Sequence, residues 1–242
     1  MRVIVCDNYE EMSSKAADIF AAKMVLNPEC VLGLATGSTP IGMYNKLAEM
    51  NKAGKIDFSK VKTFNLDEYY PIERTNDQSY YYFMNENLFS KVNIDLANTN
   101  IPNGEAKDPV KECAEYDERL KAAGGTDIQV LGIGQNGHIA FNEPDAALNA
   151  NTHLTGLTES TIKANARFFE SEADVPTQAL TMGMASIMSA KTIILLANGA
   201  NKAAAVAELL TSDITTSNPA TLLKVHPDVV LICDKEAYSQ VK

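Results

Sequence analysis

A Rossmann-like α/β fold, a three-layer sandwich with a mostly parallel central sheet, is predicted by three features of this 242-residue chain. Short apolar runs (VIVC, VLGLA, VKTFNL, DIQVLGI, TIILLA and DVVLIC) recur along its length with the size of strands buried on both faces. Segments with apolar residues at helical spacing separate them. Turns rich in glycine and asparagine (TGST, GQNG and NGAN) follow three of the runs, at the strand ends where open α/β sheets bind ligands. With no linker-like shift in composition, internal repeat or low-complexity tract, residues 1–242 read as one domain.

The elements follow in order. Val3–Cys6 is the first strand, and Asn8 with Glu11 starts a capped helix that runs to about Leu26 before Asn27 and Pro28. VLGLA (31–35) is a strand, TGST (36–39) a turn, and Pro40 opens a helix with Met43, Leu47 and Met50 on one face. VKTFNL (61–66) is a strand ending directly at Asp67 and Glu68, and residues 79–89 are predicted helical despite their tyrosines. A helix over Pro109–Ala122 stops at Gly124 and Gly125. The next strand ends in GIGQNGHIAFNEP (132–144), where Pro144 blocks any continuing helix. Residues 145–176 read as irregular, with one helix around Ser160–Arg167, and as a possible lid over a site. TQALTMGMASIMSA (177–190) has helical spacing, TIILLA (192–197) is a strand, Lys202 opens a helix to Leu210, and DVVLIC (228–233) is the last strand.

Composition excludes several classes of function. Apolar residues make up 45% and charged residues 21%, the balance of a soluble globular protein. A net charge of −10 argues against nucleic acid or an anionic membrane as main partner and leaves a small molecule, which locally gathered cations could still hold if it is phosphorylated. The four cysteines are too scattered for a zinc or redox motif. The first apolar run is too short for a signal peptide, and no segment approaches the roughly 20 apolar residues of a membrane span, so a cytoplasmic location is expected.

The strand, turn and helix start around GSTP aim main-chain N–H groups and a helix dipole at one spot, an anion site, although an ordinary βα turn looks the same. GIGQNG matches the dinucleotide fingerprint, but the long helix and the distal acidic residue that the fingerprint requires are missing, which argues against a nucleotide cofactor. His138, past the end of a central strand and five residues before Glu143, is a candidate proton carrier, the alternative being a histidine bonded to its loop. The glycines around it are expected to clear space for a ligand. Asp67 and Glu68 offer a general base at another strand end, or a turn cap, and the tyrosines at 80–82 read as packing. Arg167, in NARFF, and Lys202, unfavourably placed at a helix start, are candidate anion-binding cations.

Together LGLATGSTP, TFNLDEY, GIGQNGHIAFNEP, NARFF, ALTMG and NGANKA, in this order and over nearly the whole chain, closely resemble the glucosamine-6-phosphate deaminase family. The resemblance implies isomerisation and hydrolytic deamination of the substrate to fructose-6-phosphate and ammonia, without metal or organic cofactor. It implies that Asp67 moves a proton between sugar carbons 2 and 1, that His138 serves ring opening, and that Glu143 pairs with the histidine. Gly37, Ser38, Thr39, Arg167 and Lys202 would hold the 6-phosphate. Asn136 stands in the ring-opening group where some members carry an aspartate, and asparagine cannot share a proton in that way. The short tail and the absence of basic residues at His153 and Thr155 imply no allosteric activation, and a monomer or small homo-oligomer rather than a hexamer.

Two other functions compete. Related 6-phosphogluconolactonases share the sheet and a glycine turn with histidine, but usually read GHTASLFP where this chain has GHIAFNEP. A non-catalytic sugar-phosphate sensor domain would follow a DNA-binding helix-turn-helix, whereas this chain begins at its first strand.

Overall fold

The computed structural model describes residues 1–158, 162 and 175–241. In chain order its elements are β1 (Arg2–Cys6), α1 (Tyr9–Leu26), β2 (Val31–Leu34), α2 (Ile41–Lys52), β3 (Lys62–Asn65), β4 (Asp67–Tyr70), α3 (Tyr80–Asn87), β5 (Thr99–Asn100) and α4 (Pro109–Ala122). There follow β6 (Ile128–Gly132), β7 (His153–Gly156), β8 (Gln178–Thr181), α5 (Met184–Met188), β9 (Ile193–Ala197), α6 (Ala203–Thr211), β10 (Val229–Asp234) and α7 (Lys235–Tyr238).

Seven strands form one sheet in the order β1-β10-β9-β6-β2-β3-β5, and every pairing in it is parallel. Successive residues of β2, β9 and β10 are all buried, although they point to opposite faces. Both faces are therefore covered, which is the three-layer arrangement expected from the unbroken apolar runs. The chain leaves β2 towards β3 and β5, then returns to β6 on the other side of β2 and proceeds outward through β9 and β10. The direction reverses between β2 and β6, so the crevice that open sheets use for ligands lies at their carboxyl ends.

Local chemistry starts the helices where expected. Asn8 accepts from the Glu11 N–H at 2.9 Å while the Glu11 carboxylate takes the Asp7 N–H at 2.7 Å, a reciprocal cap worth about 1 kcal/mol. Asp108 caps α4, with Pro109 at its first position.

A second sheet was not foreseen. β4, β8 and β7 pair antiparallel, with Asp67 opposite Thr181 and His153 also opposite Thr181. Residues 177–190, expected to be one helix, are instead strand β8 followed by the short α5. Gly183 separates them because a Cβ there would lie 2.2 Å from the carbonyl oxygen of Asn151. β7 likewise lies in a stretch expected to be irregular. The partners of these strands are distant in sequence, so tertiary pairing overrode the local pattern. The helix expected around Ser160–Arg167, apart from Ile162, and residues 159–161 and 163–174 of the lid expected over 145–176 fall outside the described residues. No helix among the described residues is long and apolar enough to cross a membrane.

Candidate active site

Two turns meet beside the β2–β6 crevice. The first follows β2 and contains Gly37 at φ +91°, in the left-handed region that glycine tolerates. Two tyrosines clamp it. Tyr44 Oη donates to the Ala35 carbonyl at 2.6 Å, and Tyr9 Oη donates to the Ser38 carbonyl at 3.1 Å while accepting the Gly42 N–H at 2.8 Å. The second turn follows β9, and Thr39 Oγ1 reaches across to Asn198 Oδ1 at 2.9 Å. Asp234, at the end of β10, fixes the second turn by accepting the Gly199 N–H at 3.0 Å. Among the described residues the N–H groups of Gly37, Ser38 and Thr39 have no protein acceptor. Lys202, one turn beyond Gly199, is partly buried, with no carboxylate paired to it among the described residues, and burial alone pulls its ammonium pKa down. Open donors and an unpaired, partly desolvated cation form a receptor for an anion. Arg167, the other predicted cation, lies outside the described residues.

His138 lies between these turns, after β6. Its Nδ1 is 2.8 Å from Asn136 Oδ1 and 3.3 Å from Glu143 Oε2. Asn136 is oriented at both ends: its Oδ1 accepts the His138 N–H at 3.2 Å and its Nδ2 donates to Glu143 Oε2 at 2.7 Å. Because both groups at Nδ1 are acceptors, that nitrogen carries the proton and Nε2 is left to accept. Of the three histidines in the sequence, His138 has this carboxylate beside it, while His226 is buried and bonded to the Ala190 carbonyl at 2.7 Å and His153 to the Asn151 carbonyl at 2.9 Å.

The loop's glycines serve a different purpose from the one expected. A Cβ on Gly134 would lie 2.3 Å from the His138 ring, and one on Gly137 would lie 2.1 Å from Asn218 Oδ1. At these two positions the missing Cβ makes room for the histidine itself and for a buried asparagine beneath the turn, while a Cβ on Gly132 would meet nothing within 4 Å.

Asp67 is 6% exposed and begins β4, immediately after β3. Burial, and then the charge of adjacent Glu68, push its carboxyl up to about 8. Thr181 lies opposite it in the small sheet, and the Thr181 hydroxyl accepts the Phe141 N–H at 3.2 Å. One residue further, the Met182 carbonyl accepts from the Asn142 amide at 2.8 Å. β8 thus ties the strand carrying Asp67 to the loop carrying His138. The rings of Tyr69, Tyr80 and Phe141 close over the junction, Tyr80 stacked on Phe141 with centroids 6.2 Å apart. Tyr9, Tyr44, Thr181 and Asn218 were missed in the sequence, since a tyrosine or threonine that holds a turn carries no spacing that marks it.

The arrangement combines an anion receptor, a histidine with an available nitrogen and a buried carboxyl poised to act as base. No group of three or more His, Cys, Asp or Glu suited to a metal ion occurs among the described residues.

The chain as a whole is similar to known proteins. A family described as glucosamine-6-phosphate isomerases/6-phosphogluconolactonase matches residues 7–231. A protein of Halothermothrix orenii named glucosamine-6-phosphate deaminase is 57% identical, covering 99% of this chain and 99% of its own length. A solved structure described as a monomeric glucosamine-6-phosphate deaminase superposes with a TM-score of 0.97 at 43% identity, over 99% of this chain and 100% of that one. The 6-phosphogluconolactonase of Thermotoga maritima, with a TM-score of 0.77 at 21% identity over 97% of this chain and 99% of its own, shares the fold.

Proposed function

This chain belongs to the family of glucosamine-6-phosphate isomerases and 6-phosphogluconolactonases, and we propose that its four polar residues Asp67, Asn136, His138 and Glu143 carry out the deamination of glucosamine-6-phosphate. The reaction converts the amino-sugar phosphate and water to fructose-6-phosphate and ammonia, a step of amino-sugar breakdown.

The 6-phosphate is bound by the N–H groups of Gly37, Ser38 and Thr39 with Lys202, and the family resemblance adds Arg167. His138 Nε2 takes the anomeric hydroxyl proton and returns it to the ring oxygen, so that the C1–O5 bond breaks as the C1 carbonyl forms. The imidazolium that exists between these transfers is stabilised by Glu143, while Asn136 keeps the ring oriented and the proton on Nδ1. Asp67 then removes the proton on C2 and delivers it to C1. One ammonium proton passes to O1, which leaves a C2 iminium that water hydrolyses to the ketone and ammonia.

Asp67 is the observation that carries this reading. Lactone hydrolysis requires a base for water, whereas moving a carbon-bound proton requires a carboxylate of raised basicity held away from solvent. A sensor domain requires neither. We further propose that the chain works as one cytoplasmic domain and as a monomer.

The test is ammonia release from glucosamine-6-phosphate with no cofactor added, in parallel with hydrolysis of 6-phosphogluconolactone. Ammonia release without lactone hydrolysis is expected. Lactone hydrolysis without ammonia would move the assignment to the lactonase branch.

A further inference from the structure

Glu68 has no part in the chemistry so far described, yet it is 2% exposed and more heavily bonded than Asp67. Its Oε1 accepts the main-chain N–H groups of Tyr69 at 2.9 Å and Tyr80 at 2.8 Å, and its Oε2 accepts that of Tyr81 at 2.9 Å. Two of these donors open α3, where the Ser79 cap takes a third, the Tyr82 N–H, at 3.0 Å. A carboxylate that receives three N–H groups at the positive end of a helix is favoured as an anion. Arg74, stacked over the Tyr81 ring at 4.5 Å, adds positive charge nearby. Burial outweighs these groups and pushes the Glu68 carboxyl up to about 7, still below Asp67.

Asp67 has no such support. Among the described residues no donor reaches its carboxyl, and the ionisable groups around it are the phenols of Tyr44 on α2, Tyr69 on β4, Tyr80 on α3 and Tyr116 on α4. Burial pushes each of these phenols up, so all remain neutral at physiological pH. Among the described residues Glu68 is the one charge that raises Asp67, and of the two carboxyls it ionises first.

We propose that Glu68 is a positioning residue for the proton transfer: a buried carboxylate that docks the start of α3 against β4 and sets its negative charge beside the neighbouring base, Asp67. The inference rests on Asp67 being the base of deamination. Glu68 touches no reacting atom in this assignment. It acts through the carboxyl beside it and through the helix it holds.

Two measurements test it. In Glu68→Gln the charge is gone, and the acid limb of the kcat/KM profile for ammonia release is expected to move about one pH unit lower. A loss of turnover with the limb unmoved would reduce Glu68 to a structural tether and overturn the proposal. Ser79→Ala, which loosens the same helix start but keeps the charge, is expected to leave the limb in place.

The second measurement needs neither activity nor that variant to fold. Infrared titration of the buried carboxylates is expected to show Glu68 ionising in Asp67→Asn about one pH unit below the Asp67 step of the wild type. A group that titrates in Asp67→Asn at or above that step, and is lost in Asp67→Asn/Glu68→Gln, would overturn the proposal. Absence of deamination by the wild type would instead remove the assignment of Asp67, whatever the titration shows.

Discussion

Asp67 is costly to fold and valuable to the reaction. Its folded pKa lies near 8, above the roughly 3.9 of an unfolded chain, so between these values the folded state holds a proton that the unfolded state has lost. Its contribution to stability is complete below about pH 4 and declines as pH rises through 8. Asp67→Asn is therefore expected to melt with the wild type near pH 4 and above it at pH 8, by roughly 2–4 °C for each kcal/mol of relieved desolvation. Turnover should fall about 100-fold or more. Calorimetry across that range checks the first claim, and a Tm difference that ignores pH would remove burial as its cause. Near-normal turnover would remove Asp67 as the base.

Asn136 acts at the same scale. It cannot share a proton, but it accepts at Oδ1 and donates at Nδ2, which is what a spacer between a histidine and a carboxylate needs. Asn136→Leu should lower kcat about tenfold, the equivalent of one lost charge-assisted hydrogen bond, with little change in KM. Equal losses in affinity for inorganic phosphate would show a collapsed site instead.

At the scale of elements, β8 is the coupling. It pairs with β4 on one edge and, at its carboxyl end, holds the Phe141 and Asn142 backbone and side chain of the histidine loop. Thr181→Val keeps the shape of the strand and removes the acceptor for the Phe141 N–H. The expected cost is about 1–2 kcal/mol of stability, from a buried donor left unsatisfied. Turnover should fall while inorganic phosphate still binds with unchanged affinity, because the turns proposed to bind it follow β2 and β9 instead. A parallel loss of both in calorimetric titration would show that β8 supports the whole molecule rather than the junction.

The whole molecule is organised by the reversal between β2 and β6. The turns proposed to hold the phosphate follow β2 and β9, the histidine loop follows β6 between them, and the small antiparallel sheet brings Asp67 to that loop. The net charge of −10 opposes self-association, and the exposed large apolar side chains belong to several elements, among them Val3 and Val5 on β1, Leu26 ending α1, and Val110 on α4. Elution as a single chain under native conditions, unchanged by glucosamine-6-phosphate, is the expected outcome. A hexamer-sized species would contradict it.

Six of the seven parallel strands, the longer helices and the turns at the strand ends were legible in the sequence, because burial on both faces leaves unbroken apolar runs and because glycine, asparagine and proline mark where those runs must stop, whereas the two-residue β5 carries no such run. His138 and Glu143 were legible as a pair for the same reason, lying within one short loop. The small sheet was not legible. Its strands are only four residues each, and β4 finds its partner far along the chain, so no local period announces the pairing. The sequence by itself therefore determined which chemical groups the protein carries. Only the tertiary structure decided that Thr181 would join Asp67 to the histidine loop, that Asn136 would bridge His138 and Glu143, and that Gly134 would yield its Cβ space to the histidine ring. Each of those is a distance between atoms, set by packing.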